Sequence, residues 1–332
     1  ETGTPSMSTL ESFRSTIAKP DQWPICDAWA YHDWHQSGNG DVAAFMKQLD
    51  EEFGAATSLP DFERKAQMLN YVDHRAIFEG FNAHLWAPNS GRLLWMVQPS
   101  WPSTMWQILS HDYDTQASFY AVKKACEPIH VQLDLSNYNV AVVNTTRDVL
   151  ANVSISAKVY SLQNKMLLEH TQEVNAAADA TTPGFKLDVA PLLSLGMVFV
   201  QLELKNSTAQ LLSTNFYWLG KDAASYRQLD DLPSVTVSAS ASSRRVEDQM
   251  QVDVLLQNHA ATAALAVKLT LQDAISGARI LPAYLSDNYV SLLPGETRSI
   301  EILYPIGAKA NAAQLAIRGW NISPEIISIS HP

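Results

Sequence analysis

The spacing of apolar residues changes once along this chain, near residue 125, and that single change limits the folds open to it. Before it, the spacing is helical. Over 59–85, Phe62, Ala66, Leu69, Val72, Ala76, Ile77, Phe81 and Leu85 recur at steps of mostly three and four, which predicts one long amphipathic helix with Ser58 as its cap and Pro60 in its first turn. A second helix fits 42–53, closed by Gly54. Runs at 28–32 and 93–97 read as strands, so the order is strand, helix, strand, as in the closing units of a barrel; two units cannot make one.

After residue 125 the runs are short, rich in Val, Ile, Leu and Thr, and separated by Asn, Asp, Gly and Pro. Strands are expected at 129–133, 138–144, 153–160, 197–204 and 211–218, an antiparallel sandwich. A polar linker, 220–233, leads to a second set at 235–239, 251–257, 264–272, 289–293, 299–304 and 314–318, with a Pro-Gly turn at 293–296. The division expected is 1–125, 126–222 and 223–332.

Composition excludes several classes. The net charge of −11 and the absence of a Lys/Arg stripe argue against a nucleic-acid partner. Apolar residues make up 46% and charged residues 17%, enough to bury cores, yet no apolar run reaches the length of a membrane span, so no membrane is expected. Cys26 and Cys126 lie far apart outside any metal-binding spacing, and one disulfide or two thiols both fit. Asn144, Asn152, Asn206 and Asn321 each open an N-x-[ST] sequon.

Chemistry gathers at 93–132. Trp95, Trp101 and Trp106 surround an apolar run that ends in Gln98, Pro99 and Ser100, the pattern of a strand emptying into an aromatic-walled pocket. Such a wall suits a pyranose, whose C–H face is covered by indole and whose hydroxyl rim is met by short polar groups. Any one of these tryptophans, taken alone, fits a core position as well.

The runs LLWMVQPSWPSTMWQ and KKACEPIHVQ, followed in order by VAVVN, NFYWL, SLLPGE and IRGWN, resemble the C-terminal part of glycoside hydrolase family 2, in its branch of β-mannosidases and exo-β-D-glucosaminidases. The resemblance implies the C-terminal part of a TIM (β/α)8 barrel followed by two immunoglobulin-like β-sandwich domains. It implies no cofactor. It also implies a retaining exo-acting β-glycosidase on β-linked mannoside or glucosaminide oligosaccharides, secreted or periplasmic. VVNTT and the run at 280–296 lean toward the mannosidase branch.

The same resemblance assigns roles. Glu1, in a Glu-x-Gly context continued by SMSTLESFR, matches the family's nucleophile; a Glu-Thr-Gly start is also what a cloning vector leaves. Its acid/base partner would lie on an earlier barrel strand, so an N-terminal chain or segment of the same enzyme is expected to supply it, and this chain alone should be inactive. His32, Asp33 and Trp34 are placed to line the sugar site with Trp95 and Trp101. His32, Asp33 and His35 are too weakly spaced to predict a metal.

Other charged groups read as structural. Glu63, Arg64, Lys65, Asp73 and Arg75 look like a solvated helix face, and His74 like a helix-face residue. Lys123, Lys124, Glu127 and His130 read as domain packing, with Glu127 pairing a lysine. Asp230 and Asp231 belong to the linker, and Asn321 is left between a terminal-strand feature and a role near the sugar. The competing class is a noncatalytic carbohydrate-binding chain, against which the helical first third argues.

Overall fold

A computed structural model describes residues 2–38, 40–307 and 312–330. The first part is helical: α1 (Leu10–Thr16), α2 (Asp27–Tyr31), α3 (Ala43–Phe53), α4 (Leu59–Asn82) and α5 (Ala117–Ala125). The end signals act as the sequence suggests. The Thr9 hydroxyl accepts from Ser12 N–H, the Ser58 hydroxyl accepts from Asp61 N–H, and Gly54 ends α3 at φ 74°, where a side chain would be strained.

The two strands expected here did not form. Residues 27–31 are helix α2, with Trp29 buried and Tyr31 exposed; a strand would have placed both on one face. At 93–97 there is one parallel bridge, Thr2 to Leu94, in which Thr2 N–H donates to Leu93 O (2.8 Å) and Trp95 N–H donates to Thr2 O (2.7 Å). No barrel closes within the described residues.

Beyond α5 the chain is almost entirely β. The first set comprises β1 (Ile129–Leu133), β2 (Asn139–Asn144), β3 (Leu150–Ser161), β4 (Met166–Ala176), β5 (Ala180–Lys186), β6 (Val198–Lys205) and β7 (Leu211–Leu219), with a four-residue helix α6 (Ala190–Leu193) between β5 and β6. They form a three-stranded sheet, β1-β2-β5, and a four-stranded one, β4-β3-β6-β7. Val131, Val142, Ile155, Val159, Val200 and Leu202 fill the space between them.

The second set is β8 (Ser238–Val246), β9 (Gln249–Gln257), β10 (Ala264–Asp273), β11 (Tyr284–Leu285), β12 (Val290–Leu292), β13 (Thr297–Pro305), β14 (Ala313–Arg318) and β15 (Glu325–Ser328). Its sheets run β12-β10-β14-β15 and β11-β13-β9-β8. Both sets are antiparallel immunoglobulin-like sandwiches.

The expected linker is structured. Residues 223–231 form a 3-10 helix capped by Asp222, and Leu229 in it is fully buried. Arg227 donates to Asp50 O (3.0 Å), Asp230 pairs with Arg64 (2.8 Å), and Trp320 Nε1 donates to Leu229 O (2.9 Å). Leu229 belongs to a core shared by Phe13, Trp29 and Phe62 of the helical part, Phe199 and Trp218 of the first sandwich, and Leu265 and Trp320 of the second.

The solvated helix face is also corrected. Glu63, Lys65 and Arg75 are buried on α4, as is His74, whose pKa burial pushes down to about 4. Arg318 meets Glu63, and Asn215 and Phe216 meet Arg75, from far along the chain, which local spacing cannot reveal; Lys65 pairs with Asp61 one turn away. Both cysteines are free thiols.

Candidate functional site

Three segments meet where the sugar site was expected. Thr2 pairs with Leu94, Ser6 N–H donates to Met105 O, and Met96 N–H donates to Trp106 O (3.3 Å). The approach is so close that a Cβ on Gly3 would fall 2.2 Å from Trp95 O, so glycine is required there. Trp106 lies beneath: a Cβ on Gly40 would meet its ring at 2.7 Å. Glu1 lies outside the described residues; its near neighbours Thr2 and Gly3 sit against Trp95.

His32, which caps α2, stacks on Trp101 with ring centres 5.4 Å apart and planes 22° off parallel, while Tyr31 meets the same indole edge-on at 5.5 Å. His32 Nδ1 lies 2.5 Å from Pro102 O, and Thr104 N–H donates to His32 O (3.0 Å), which ties α2 to the tryptophan loop. Trp95 and Trp101 are 50% and 38% exposed, so both offer ring surface to a ligand. Asp33 follows in the left-handed region at φ 72°, half-buried.

Trp34 does not join them. It is 1% exposed and packs edge-on against Trp29, Phe45 and Phe62, with its Nε1 unpartnered. Its ring is core, because the left-handed Asp33 turns the chain inward just after His32. A sugar face could not reach it.

Sequence reading missed how two buried charge networks hold this region. On α4, the Glu79 carboxylate accepts from Tyr217 Oη (2.9 and 3.0 Å), Asn215 Nδ2 (2.7 Å) and His130 Nε2 (3.0 Å), with Arg75 at 3.8 Å. His130 Nδ1 faces Glu127 (3.3 Å), which pairs with Lys124 (2.7 Å). Burial alone would lower the His130 pKa; the hydrogen bonds to Glu127 and Glu79 override it and raise it above the ordinary value.

The other network joins α1 and α4 to the second sandwich. Glu11 is gripped by Lys268 (2.7 Å) and Arg318 (3.1 Å), and Arg318 also forks onto Glu63 (2.9 Å). Burial would raise the Glu11 pKa, but Lys268 and Arg318 together hold it well below the usual carboxylate range. Nearby, Arg279 pairs with Asp112 (2.7 Å) and Asp114 (2.9 Å).

Asn321 is structural: its Oδ1 accepts from Leu265 N–H and its Nδ2 donates to Ala263 O and Pro233 O. Asn144 is likewise engaged, donating to Asp148 O and Ala177 O while fully buried, so neither sequon offers a free amide.

Exposed indole surface beside the Thr2–Leu94 bridge, followed by two β-sandwiches, makes this a multidomain protein with an aromatic surface on its helical part. Comparison sharpens this. A profile described as "Exo-beta-D-glucosaminidase Ig-fold domain" matches residues 215–322, and one described as "Mannosidase Ig/CBM-like domain" matches 136–221. The chain is 28% identical to a mannosylglycoprotein endo-β-mannosidase of Lilium longiflorum, over 83% of this chain and 35% of that protein. It is 27% identical to an exo-β-D-glucosaminidase of Amycolatopsis orientalis, over 97% of this chain and 34% of that one. The crystal structure of the exo-chitosanase of Amycolatopsis orientalis superposes with a TM-score of 0.88 at 25% identity, covering 98% of this chain and 41% of that one. Domain models, relatives and solved structure agree: the chain is similar to the C-terminal part of glycoside hydrolase family 2 enzymes of the β-mannosidase and exo-β-D-glucosaminidase branch. It spans about a third of the length of the curated relatives it matches.

Proposed function

We propose that this chain is the C-terminal part of a retaining, exo-acting β-glycosidase. The observation that carries the reading is the parallel pairing of Thr2 with Leu94, which sets the segment after Glu1 beside the exposed Trp95. In this reading residues 1–125 supply the last two strand positions of a (β/α)8 barrel, and 126–222 and 223–332 are the two sandwiches. An N-terminal segment of the same enzyme supplies the other strands and the acid/base carboxyl. Closing the barrel would also cover Leu93 and Val97, apolar side chains now exposed.

The chemistry follows from two carboxyls about 5 to 5.5 Å apart. Glu1 attacks the anomeric carbon while the acid protonates the leaving oxygen, and a glycosyl-enzyme forms. Water, deprotonated by the same acid/base, then releases the sugar with its configuration retained. Trp95 and Trp101 hold the ring, and His32 fixes Trp101 by stacking. A sugar-polymer substrate fits a secreted or periplasmic enzyme.

Of the two substrates, we place the β-glucosaminide first, because likeness to an exo-β-D-glucosaminidase and an exo-chitosanase extends over nearly the whole chain. That outweighs the short mannosidase-like run at 280–296. The β-mannoside reading retains the support of the profile at 136–221 and of the lily relative. Hydrolysis of p-nitrophenyl β-glucosaminide and β-mannoside by the complete protein decides between them. Glu1→Gln is expected to remove turnover of either; full activity in that variant would sink the nucleophile assignment.

A further inference from the structure

The second sandwich presents a row of cations to the segment that follows the nucleophile. Lys268 on β10 and Arg318 on β14 are direct cross-strand partners, two like charges set opposite each other on one largely buried sheet face. Such a pair is unfavourable in an isolated sheet. Among the described residues it is neutralised from outside the sandwich: Glu11 on α1 bridges both cations, and Glu63 on α4 takes the rest of the Arg318 fork.

The same acids hold the backbone that leads out of Glu1. Glu63 Oε1 accepts from Leu10 N–H (3.2 Å). Asp114, paired with Arg279, accepts from the hydroxyl of Thr9, the cap of α1 (2.5 Å), and Asp112, on the same arginine, accepts from Ser12 (2.7 Å). Residues 9–12 are therefore fixed at four points by groups that the second sandwich orients. Ser6 and Met7, nearer the nucleophile, are anchored to Met105, Gln116, Ser118, Gln67, Asn70 and Thr104 in the helical part.

We propose that the second sandwich acts in catalysis as a positioning element: Arg318, Lys268 and Arg279 fix the start of α1 through Glu11, Glu63, Asp112 and Asp114, and thereby steady the chain that runs back toward the nucleophile. This rests on the nucleophile reading above. Misplacing a reacting group by about 1 Å costs on the order of a hundredfold in rate, so the constraint is felt in the chemical step rather than in sugar binding.

The test uses the complete protein and a 2-deoxy-2-fluoro glycoside, which traps the nucleophile covalently. Arg318→Gln is expected to lower kcat and the trapping rate about tenfold or more with KM within a factor of two, and Arg318→Lys to restore part of both. Lys47→Ala, in an exposed pair with Glu51, is the control that leaves trapping unchanged. Should Arg318→Gln not fold, Arg279→Lys serves in its place, with about a threefold fall expected. If the folded variants trap the reagent at the parental rate and lose only thermal stability, the sandwich is scaffolding and the proposal is overturned. An unmutated enzyme that cleaves neither glycoside overturns the glycosidase reading instead.

Discussion

The two sandwiches meet the helical part in opposite ways. At the first, one carboxylate, Glu79, is saturated by a phenol, an amide and an imidazole, while Arg75 lies over the Tyr217 ring at 4.0 Å. At the second, carboxylates meet Lys268, Arg279 and Arg318 in direct pairs. One junction centres several weak donors on a single charge; the other spreads charge over paired groups. The first should fail all at once and the second in parts.

Removal of a central acid is the strongest way to break that contrast. Glu79→Ala takes the buried acceptor from Tyr217, Asn215 and His130 and the counter-charge from Arg75, and is expected to cost about 3–5 kcal/mol in urea unfolding. Glu63→Ala leaves Arg318 its bond to Glu11 and is expected to cost about 1–3 kcal/mol. Equal losses would remove the distinction.

Acidity separates His130 of the first junction from Glu11 of the second by sign. The His130 pKa is raised, so its contribution is complete below the ordinary histidine value near 6.5 and is lost as pH rises through the folded value. The Glu11 pKa is lowered, so its contribution is complete above the ordinary carboxylate value near 4.5 and is lost as pH falls through the folded one. Asp112, which burial would raise but Arg279 and Ser12 hold down, acts in the same direction as Glu11. His130→Gln should flatten only the alkaline side of the stability profile, and Glu11→Gln only the acid side.

Smaller effects calibrate the scale away from both junctions. Ser58→Ala removes the cap of α4 and should cost about 1 kcal/mol. Lys47→Ala breaks an exposed pair and should change stability by no more than about 0.5 kcal/mol. A larger loss at Lys47 than at Ser58 would mean that surface charge matters more here than the junction comparison allows.

What was legible in the sequence follows from range. Alternation over five residues placed β1 at its observed bounds, and a cap, a proline and a glycine located α3 and α4, because those signals act within a turn or two. β4 escaped notice because both of its faces are partly exposed and its side chains are mixed polar and apolar, so no alternation shows. The aromatic loop was recognised, but Trp34 could not be sorted from Trp101, since burial there depends on where Asp33 turns the chain. Glu63 reads as solvated in the sequence because Arg318, the cation that meets it, arrives 255 residues later. The resemblance to glycoside hydrolase family 2, spread in order over the chain, survived comparison.

The clasp between Glu11 and Arg318 also sets an order of events at the ribosome. Its partners are 307 positions apart, those of Glu63 and Arg318 are 255 apart, and those of Asp112 and Arg279 are 167 apart. The acids emerge first and wait, solvated and unmatched, through the synthesis of the whole first sandwich. At about 5–20 residues per second, that wait lasts on the order of ten seconds or more. During it the start of α1 lacks the cations that fix it, so the last strands to be made are the ones that complete its support.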